Sequence, residues 1–263
     1  MSTILDKIIK NKRLEVSERR SASPVDRLEK SPFFNRTTFS LKESLKAEKT
    51  SGIIAEFKRM SPSAGWINRT ADPVDITKGY VQSGVAALSV LTDRNYFSGM
   101  RDDLMRVREV NNCPILRKDF TIDAYQVLEA KAIGADAILL IASVLDNTSI
   151  RELAEVAHDV GLEVILEVHD SSELAFLNDW IDIVGVNNRN LKKMETDVQT
   201  SIDLSGKIPS QYLKISESGI HDSETIAYLK GLGYSGFLIG EHFMKQGDPA
   251  KACRKFIKQM NTE

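Results

Sequence analysis

The sequence carries only two cysteines in 263 residues, Cys113 and Cys253, far apart and outside any CxxC spacing. That scarcity excludes a disulfide-stapled scaffold and predicts two reduced thiols in a cytoplasmic protein. Histidine is as sparse: His158, His169, His221 and His242 form no HxxxH or HExxH pair, so no metal site is expected. No stretch approaches the roughly 20 apolar residues that span a bilayer. Residues Met1 to Ile9 lack a basic segment leading into a long apolar one. No membrane partner is expected. Charge of one sign is missing too, with 35 Lys plus Arg against 37 Asp plus Glu and a net charge of -2. A nucleic-acid surface is therefore not expected, and any affinity for phosphate must be local.

What is present is an alternation. From about residue 52, short apolar runs are separated by amphipathic stretches. The runs are Ile53–Phe57, Ala87–Leu91, Ile115–Leu116, Ala137–Ile141, Val164–Val168, Ile183–Val186, Leu213–Ile215 and Phe237–Ile239. Short and largely β-branched, they fit buried parallel strands. Helical patterns fill the gaps at Val74–Gln82, Asp103–Glu109, Ala124–Ile133, Ile150–Val160, Glu173–Leu177, Val198–Leu204 and Glu224–Leu229, with Ala250–Gln259 last. Gly84, Gly134, Gly161 and Gly233 each close a helical pattern just before a run, as C-cap glycines do. Asp72-Pro73 and Asp248-Pro249 have the form of helix starts. Eight such units predict one (β/α)8 TIM barrel over residues 51–263. The open doubly wound sheet is the alternative, and the missing GxGxxG after the first strand weighs against it.

Residues 1–50 fall outside the repeat. Ile4, Leu5, Ile8 and Ile9 form an apolar stripe at helical spacing. It predicts an N-terminal helical extension that caps the barrel, with an active-site lid as the alternative for part of it.

In a barrel of this kind the chemistry sits at the C-terminal ends of the strands. Those ends carry Glu56-Phe57-Lys58, Arg117-Lys118-Asp119-Phe120, Glu167-Val168-His169, Asn187-Asn188-Arg189, Glu217-Ser218-Gly219 and Gly240-Glu241. Residues two apart on a strand share a face, so Glu56 joins Lys58 and Asn187 joins Arg189. So many ionisable groups at one mouth require mutual pairing. Gly219 and Gly240, after the last two strands, let backbone N–H groups approach an anion.

Several strings resemble the indole-3-glycerol phosphate synthases. They are Ala55-Glu56-Phe57-Lys58-Arg59 with Ser61-Pro62-Ser63, Val90-Leu91-Thr92-Asp93 with Tyr96-Phe97, and Leu116-Arg117-Lys118-Asp119-Phe120. Gly185-Val186-Asn187-Asn188-Arg189-Asn190-Leu191 and Glu217-Ser218-Gly219-Ile220 continue the series in the family's order, over roughly residues 50–250. The resemblance implies ring closure, decarboxylation and dehydration of a carboxyphenylamino-deoxyribulose phosphate to indole-3-glycerol phosphate, in tryptophan biosynthesis and without a cofactor.

By that resemblance Lys118 is the general acid of ring closure and Glu167 the general base of dehydration. Lys58 serves phosphate binding and dehydration, and Glu56 positions the lysines. Asn187 and Glu217 meet the sugar hydroxyls or developing charge, and Arg189 holds the substrate carboxylate. Ser61, Ser218, Gly219 and Gly240 bind phosphate, while Pro62, Phe97, Phe120, Leu139 and Leu191 form the slot for the aromatic ring. Glu241 stands where some relatives carry serine, so its backbone N–H alone is expected to serve phosphate. The partner is a phosphorylated small molecule and the enzyme is expected to be a monomer. The alternatives are a phosphoribosylanthranilate isomerase, a Schiff-base aldolase and a non-catalytic phosphate-binding barrel. The isomerase lacks its strand-one cysteine here.

Overall fold

The computed structural model describes residues 3–190 and 195–260. Chain order begins with three helices, α1 (Ile4–Ala22), α2 (Val25–Leu28) and α3 (Leu41–Lys46). Then come strand β1 (Ile53–Phe57), a small antiparallel hairpin of β2 (Met60–Ser61) and β3 (Gly65–Trp66), and helix α4 (Pro73–Gln82). Strand β4 (Ala87–Leu91), helices α5 (Arg94–Phe97) and α6 (Arg101–Val110), strand β5 (Ile115–Lys118) and helix α7 (Ala124–Ala132) follow. Next are β6 (Ala137–Ile141), α8 (Asn147–Asp159), β7 (Glu163–Val168), β8 (Ile183–Asn187), α9 (Gln199–Ser205), β9 (Leu213–Glu217) and α10 (Ser223–Gly231). Strand β10 (Gly236–Ile239) and helices α11 (Glu241–Met244) and α12 (Pro249–Met260) complete the order.

Strands β1 and β4 to β10 close into an eight-stranded parallel barrel. The predicted helix starts hold: Asp72 accepts the N–H groups of Val74 and Asp75, and Asp248 accepts that of Lys251. Gly84, Gly134, Gly161 and Gly233 all have positive φ, as helix-ending glycines should. One helical expectation fails. Glu173–Leu177 lies largely in a 3-10 turn, Ser171–Phe176, because the Glu173 carboxylate captures the His169 backbone N–H at 2.6 Å. That bond closes the loop locally, and 3-10 geometry is common in short connecting pieces of this kind.

Strand parity divides the core. Ile54, Leu116, Leu139, Ile165, Ile183, Ile215 and Leu238 gather inside the barrel. Their neighbours Ile53, Ile115, Ile138, Val164, Val184 and Phe237 pack outward beneath the helices. The extension meets both ends of the barrel. Leu41 and Leu45 of α3 join the inner cluster from the N-terminal side, where Ser44 donates to the Ala86 carbonyl at 2.6 Å. Ile4, Leu5 and Ile8 of α1 reach the opposite mouth. Burying side chains like these stabilises by about 1.5–3 kcal/mol each relative to exposure. No helix among the described residues is long and apolar enough to cross a membrane.

Candidate active site

The parity that buries Ile54, Leu116, Ile165, Ile183, Ile215 and Leu238 also dictates what stands above them. Two residues on, in the same inward orientation, come Glu56, Lys118, Glu167, Gly185, Glu217 and Gly240; a further step brings Lys58 and Asn187. Strands β1, β5, β7 and β9 are thus apolar at the base and ionisable at the C-terminal end. Register completes the arrangement by setting Asn187 beside Glu217 and Leu91 beside Lys118.

Lys118 Nζ lies 2.8 Å from Glu167 Oε2 and 2.6 Å from Glu217 Oε2. Lys58 Nζ is 2.6 Å from Glu56 Oε1. Asn187 Nδ2 donates to Glu167 Oε1 at 3.1 Å, and the Asn187 side-chain oxygen accepts the Arg189 N–H at 2.9 Å. The two inward glycines make room for this density. A Cβ on Gly185 would sit 2.5 Å from Glu217 Oε1, and one on Gly240 would sit 2.5 Å from Glu56 Oε1.

Burial and pairing compete at each group. Burial disfavours the Lys118 ammonium, yet Glu167, Glu217 and Glu56 outweigh it and hold the lysine charged, well above its ordinary range. One ammonium cannot serve its carboxylates equally. Burial opposes ionisation of Glu167, but Lys118 and His169 overcome it and hold that carboxyl well below the usual range. Burial and the Glu167 charge push Glu217 up to about 7 despite Lys118, and its Oε1 has no hydrogen-bond partner among the described residues. His169 is also disfavoured by burial, but Glu167 and Glu173, each 3.4 Å away, raise it to about 10.

The cavity above these groups has two halves. Pro62, Leu91, Phe97, Phe120, Leu139 and Ile141 form an apolar wall, and Ile4, Leu5 and Ile8 of α1 contribute a roof. The Phe97 and Phe120 ring centres are 6.1 Å apart. On the other side Glu56, Lys58, Arg189 and Ser218 continue into a second hollow lined by Gly219, Gly240, Glu241 and His242. A flat apolar group flanked by anions suits such a space.

Most of the expected site residues thus converge. Glu56, Lys58, Pro62, Phe97, Lys118, Phe120, Leu139, Glu167, Asn187, Arg189, Glu217 and Ser218 line the main cavity, and Gly219 and Gly240 line its extension. Ser61 lines neither: its Oγ accepts the Ala64 N–H at 3.2 Å and shapes the β2–β3 hairpin. Leu191 lies outside the described residues. The Glu241 carboxylate does not stand alone, for Arg189 Nη2 is 3.7 Å away. Arg189 also donates to Ser63 Oγ at 2.8 Å and Thr196 Oγ1 at 3.1 Å.

Ser63, Thr196 and the His169–Glu173 pair were given no role in the sequence, and α1 was placed over the active site only as an alternative. An apolar stripe declares a helix but not the surface it covers, and short polar residues in loops carry no periodic signal.

Comparison with known proteins agrees with this geometry. The pattern of the family described as indole-3-glycerol phosphate synthase matches residues 5–256. The chain is 46% identical over 258 residues to the indole-3-glycerol phosphate synthase of Bacteroides thetaiotaomicron, covering 98% of this chain and 99% of that one. It is 41% identical over 261 residues to that of Burkholderia vietnamiensis, covering 98% and 100%. Among solved structures, 3-hexulose-6-phosphate synthase from Salmonella typhimurium superposes with a TM-score of 0.64 at 16% identity, over 80% of this chain and 99% of that one. A mutant tryptophan synthase alpha-subunit from Pyrococcus furiosus gives 0.62 at 14%, over 82% and 99%. Those two likenesses establish the barrel alone. The match along nearly the whole sequence goes further: this chain belongs to the indole-3-glycerol phosphate synthase family.

Proposed function

We infer that the protein closes, decarboxylates and dehydrates carboxyphenylamino-deoxyribulose phosphate to indole-3-glycerol phosphate. One observation carries the assignment of roles: a charged lysine, Lys118, held by Glu167 and Glu217 at 2.8 and 2.6 Å, faces an apolar slot bounded by cations.

The aromatic ring lies against Phe97, Phe120 and Leu139, its carboxylate meets Arg189, and the phosphate enters the hollow by Lys58, Gly219 and Gly240. The slot brings the ring carbon near the ribulose carbonyl carbon, which replaces a chance encounter with a fixed one. As the carbon–carbon bond forms, the carbonyl π electrons move to oxygen and Lys118 delivers a proton there, leaving a hydroxyl. The developing alkoxide is strongly basic, so an ammonium stabilised by carboxylates still protonates it. Loss of carbon dioxide returns the electron pair to the ring. Glu167 then removes a proton as Lys58, oriented by Glu56, protonates the departing hydroxyl, and water leaves.

The same charge state argues against Schiff-base chemistry, which needs a neutral amine as nucleophile. Neither cysteine lines the cavity, so a thiol base is not available to it. Every group given a role here lines one cavity or its extension, so the site is complete within a single subunit. Mixing the substrate with protein alone should produce indole fluorescence together with carbon dioxide; absence of both overturns the reading.

A further inference from the structure

We propose that Asn188, which touches neither cavity, is a positioning residue that holds the phosphate-binding turn Ser218–Gly219 in shape. The proposal rests on the synthase reading and assigns a role to a residue that the mechanism above leaves unused.

Asn188 follows β8 directly and is 2% exposed. Its neighbours Asn187 and Arg189 line the cavity, so alternation turns its own side chain away, toward β9 and α9. Every hydrogen-bonding position of that side chain is occupied. Nδ2 donates to Ser216 Oγ at 3.0 Å and to the Ser218 carbonyl at 2.9 Å. Oδ1 accepts from the Ser201 backbone N–H at 3.1 Å and from its hydroxyl at 2.8 Å. Ser201 and Ser216 bond each other at 2.7 Å, and Tyr234 donates to the Ser201 carbonyl at 2.7 Å. Only a carboxamide offers two donors on one side and an acceptor on the other.

The turn it grips is strained. Ser218 has φ of 69° and Gly219 has φ of 75°, two consecutive left-handed residues, the first with a Cβ that this conformation penalises. Such backbone persists only where its surroundings hold it. Two restraints are visible. Behind Gly219 stands Thr196, whose Cγ2 would be 2.8 Å from an added Cβ, and at Ser218 the Asn188 amide fixes the carbonyl. Ser218 lines both hollows and Gly219 lines the second, so the set of this turn decides how its peptide groups meet an anion. The tripeptide Asn187-Asn188-Arg189 therefore serves the base Glu167, the phosphate turn and the carboxylate site from three successive side chains.

The test uses Asn188→Asp, which is isosteric and keeps the acceptor toward Ser201 but sets oxygen against the Ser218 carbonyl, together with Asn188→Ala. Inorganic phosphate is the probe in equilibrium titration of each full-length protein, alongside steady-state kinetics. The expected result is about tenfold weaker phosphate binding and a parallel rise in KM, roughly a 1.4 kcal/mol effect. The turnover number should stay within about threefold. Ser218→Gly, which removes the steric penalty of the left-handed backbone, should shrink the effect of Asn188→Asp when the two are combined. Phosphate affinity and KM unchanged, with only a lower melting temperature, overturns the proposal, as does strict additivity of the pair. Failure of the wild-type protein to form indole-3-glycerol phosphate would instead strike the synthase reading, leaving the phosphate titration interpretable.

Discussion

Two buried lysines stand in cages of carboxylates and have different work. Lys12 of α1 lies 2.9 Å from Glu15, 2.9 Å from Asp93 and 2.8 Å from Asp119. Lys118 lies 2.8 and 2.6 Å from Glu167 and Glu217. Acidic neighbours hold both charged against the pull of burial. The difference lies in what remains open. The Lys12 side chain is 0% exposed, and Asp119 beside it is further tied to Thr92, Arg117 and the Phe120 N–H. The Lys118 side chain keeps 15% of its surface free and lines the cavity. The first cage fastens α1 to the barrel mouth. The second presents its ammonium to the cavity.

The sharpest way to break this contrast is to remove each ammonium. Lys118→Ala should lower turnover by roughly a thousandfold or more, the upper range for loss of a positioned acid, with substrate affinity and fold retained. Near-normal turnover in that variant ends its assignment as the acid. Glu167→Gln should slow the full reaction by roughly a hundredfold or more and accumulate a ring-closed intermediate in rapid-quench mass analysis; unchanged kinetics remove its role as base. Lys12→Met belongs to the other cage and should act mainly on stability, by about 3–5 kcal/mol in urea unfolding, because carboxylates are left buried without a partner. A turnover loss matching that of Lys118→Ala would erase the distinction between the cages.

The smallest effect concerns pH. His169 is raised to about 10 by Glu167 and Glu173, so the stability it contributes is fully present below its ordinary value of 6.5 and is lost as pH rises through 10. Unfolding measured at pH 7 and pH 10 should show a steeper decline for the wild type than for His169→Asn. Equal slopes would mean that the ring does not gain its proton from the fold.

The barrel was legible because its signal is redundant: runs, glycine stops and Asp-Pro starts repeat around it. The site was legible in part because alternation places Lys118 inward beside Leu116 while Arg117 and Asp119 turn outward to Glu129 and Lys12. The residue types alone do not separate Lys12 from Lys118, since both are lysines in acidic company. The apolar stripe of Ile4, Leu5 and Ile8 was legible, but whether it capped the barrel or roofed the active site stayed open, because an amphipathic helix announces a buried face without its destination. The local bond in which Ser61 Oγ accepts the Ala64 N–H was not legible, because a hydroxyl beside a tight turn carries no periodic signal. The 3-10 turn after β7 depended on one carboxylate reaching back to one amide, which periodicity cannot foresee.

Gly185 and Gly240 show that part of this site is built from atoms that are not there. A methyl at either position would fall within 2.5 Å of a carboxylate oxygen and evict it from the constellation. Both positions therefore tolerate hydrogen alone, for reasons of volume and without any chemistry of their own. A search guided by reactive side chains would pass over them, although the placement of two acids depends on that emptiness.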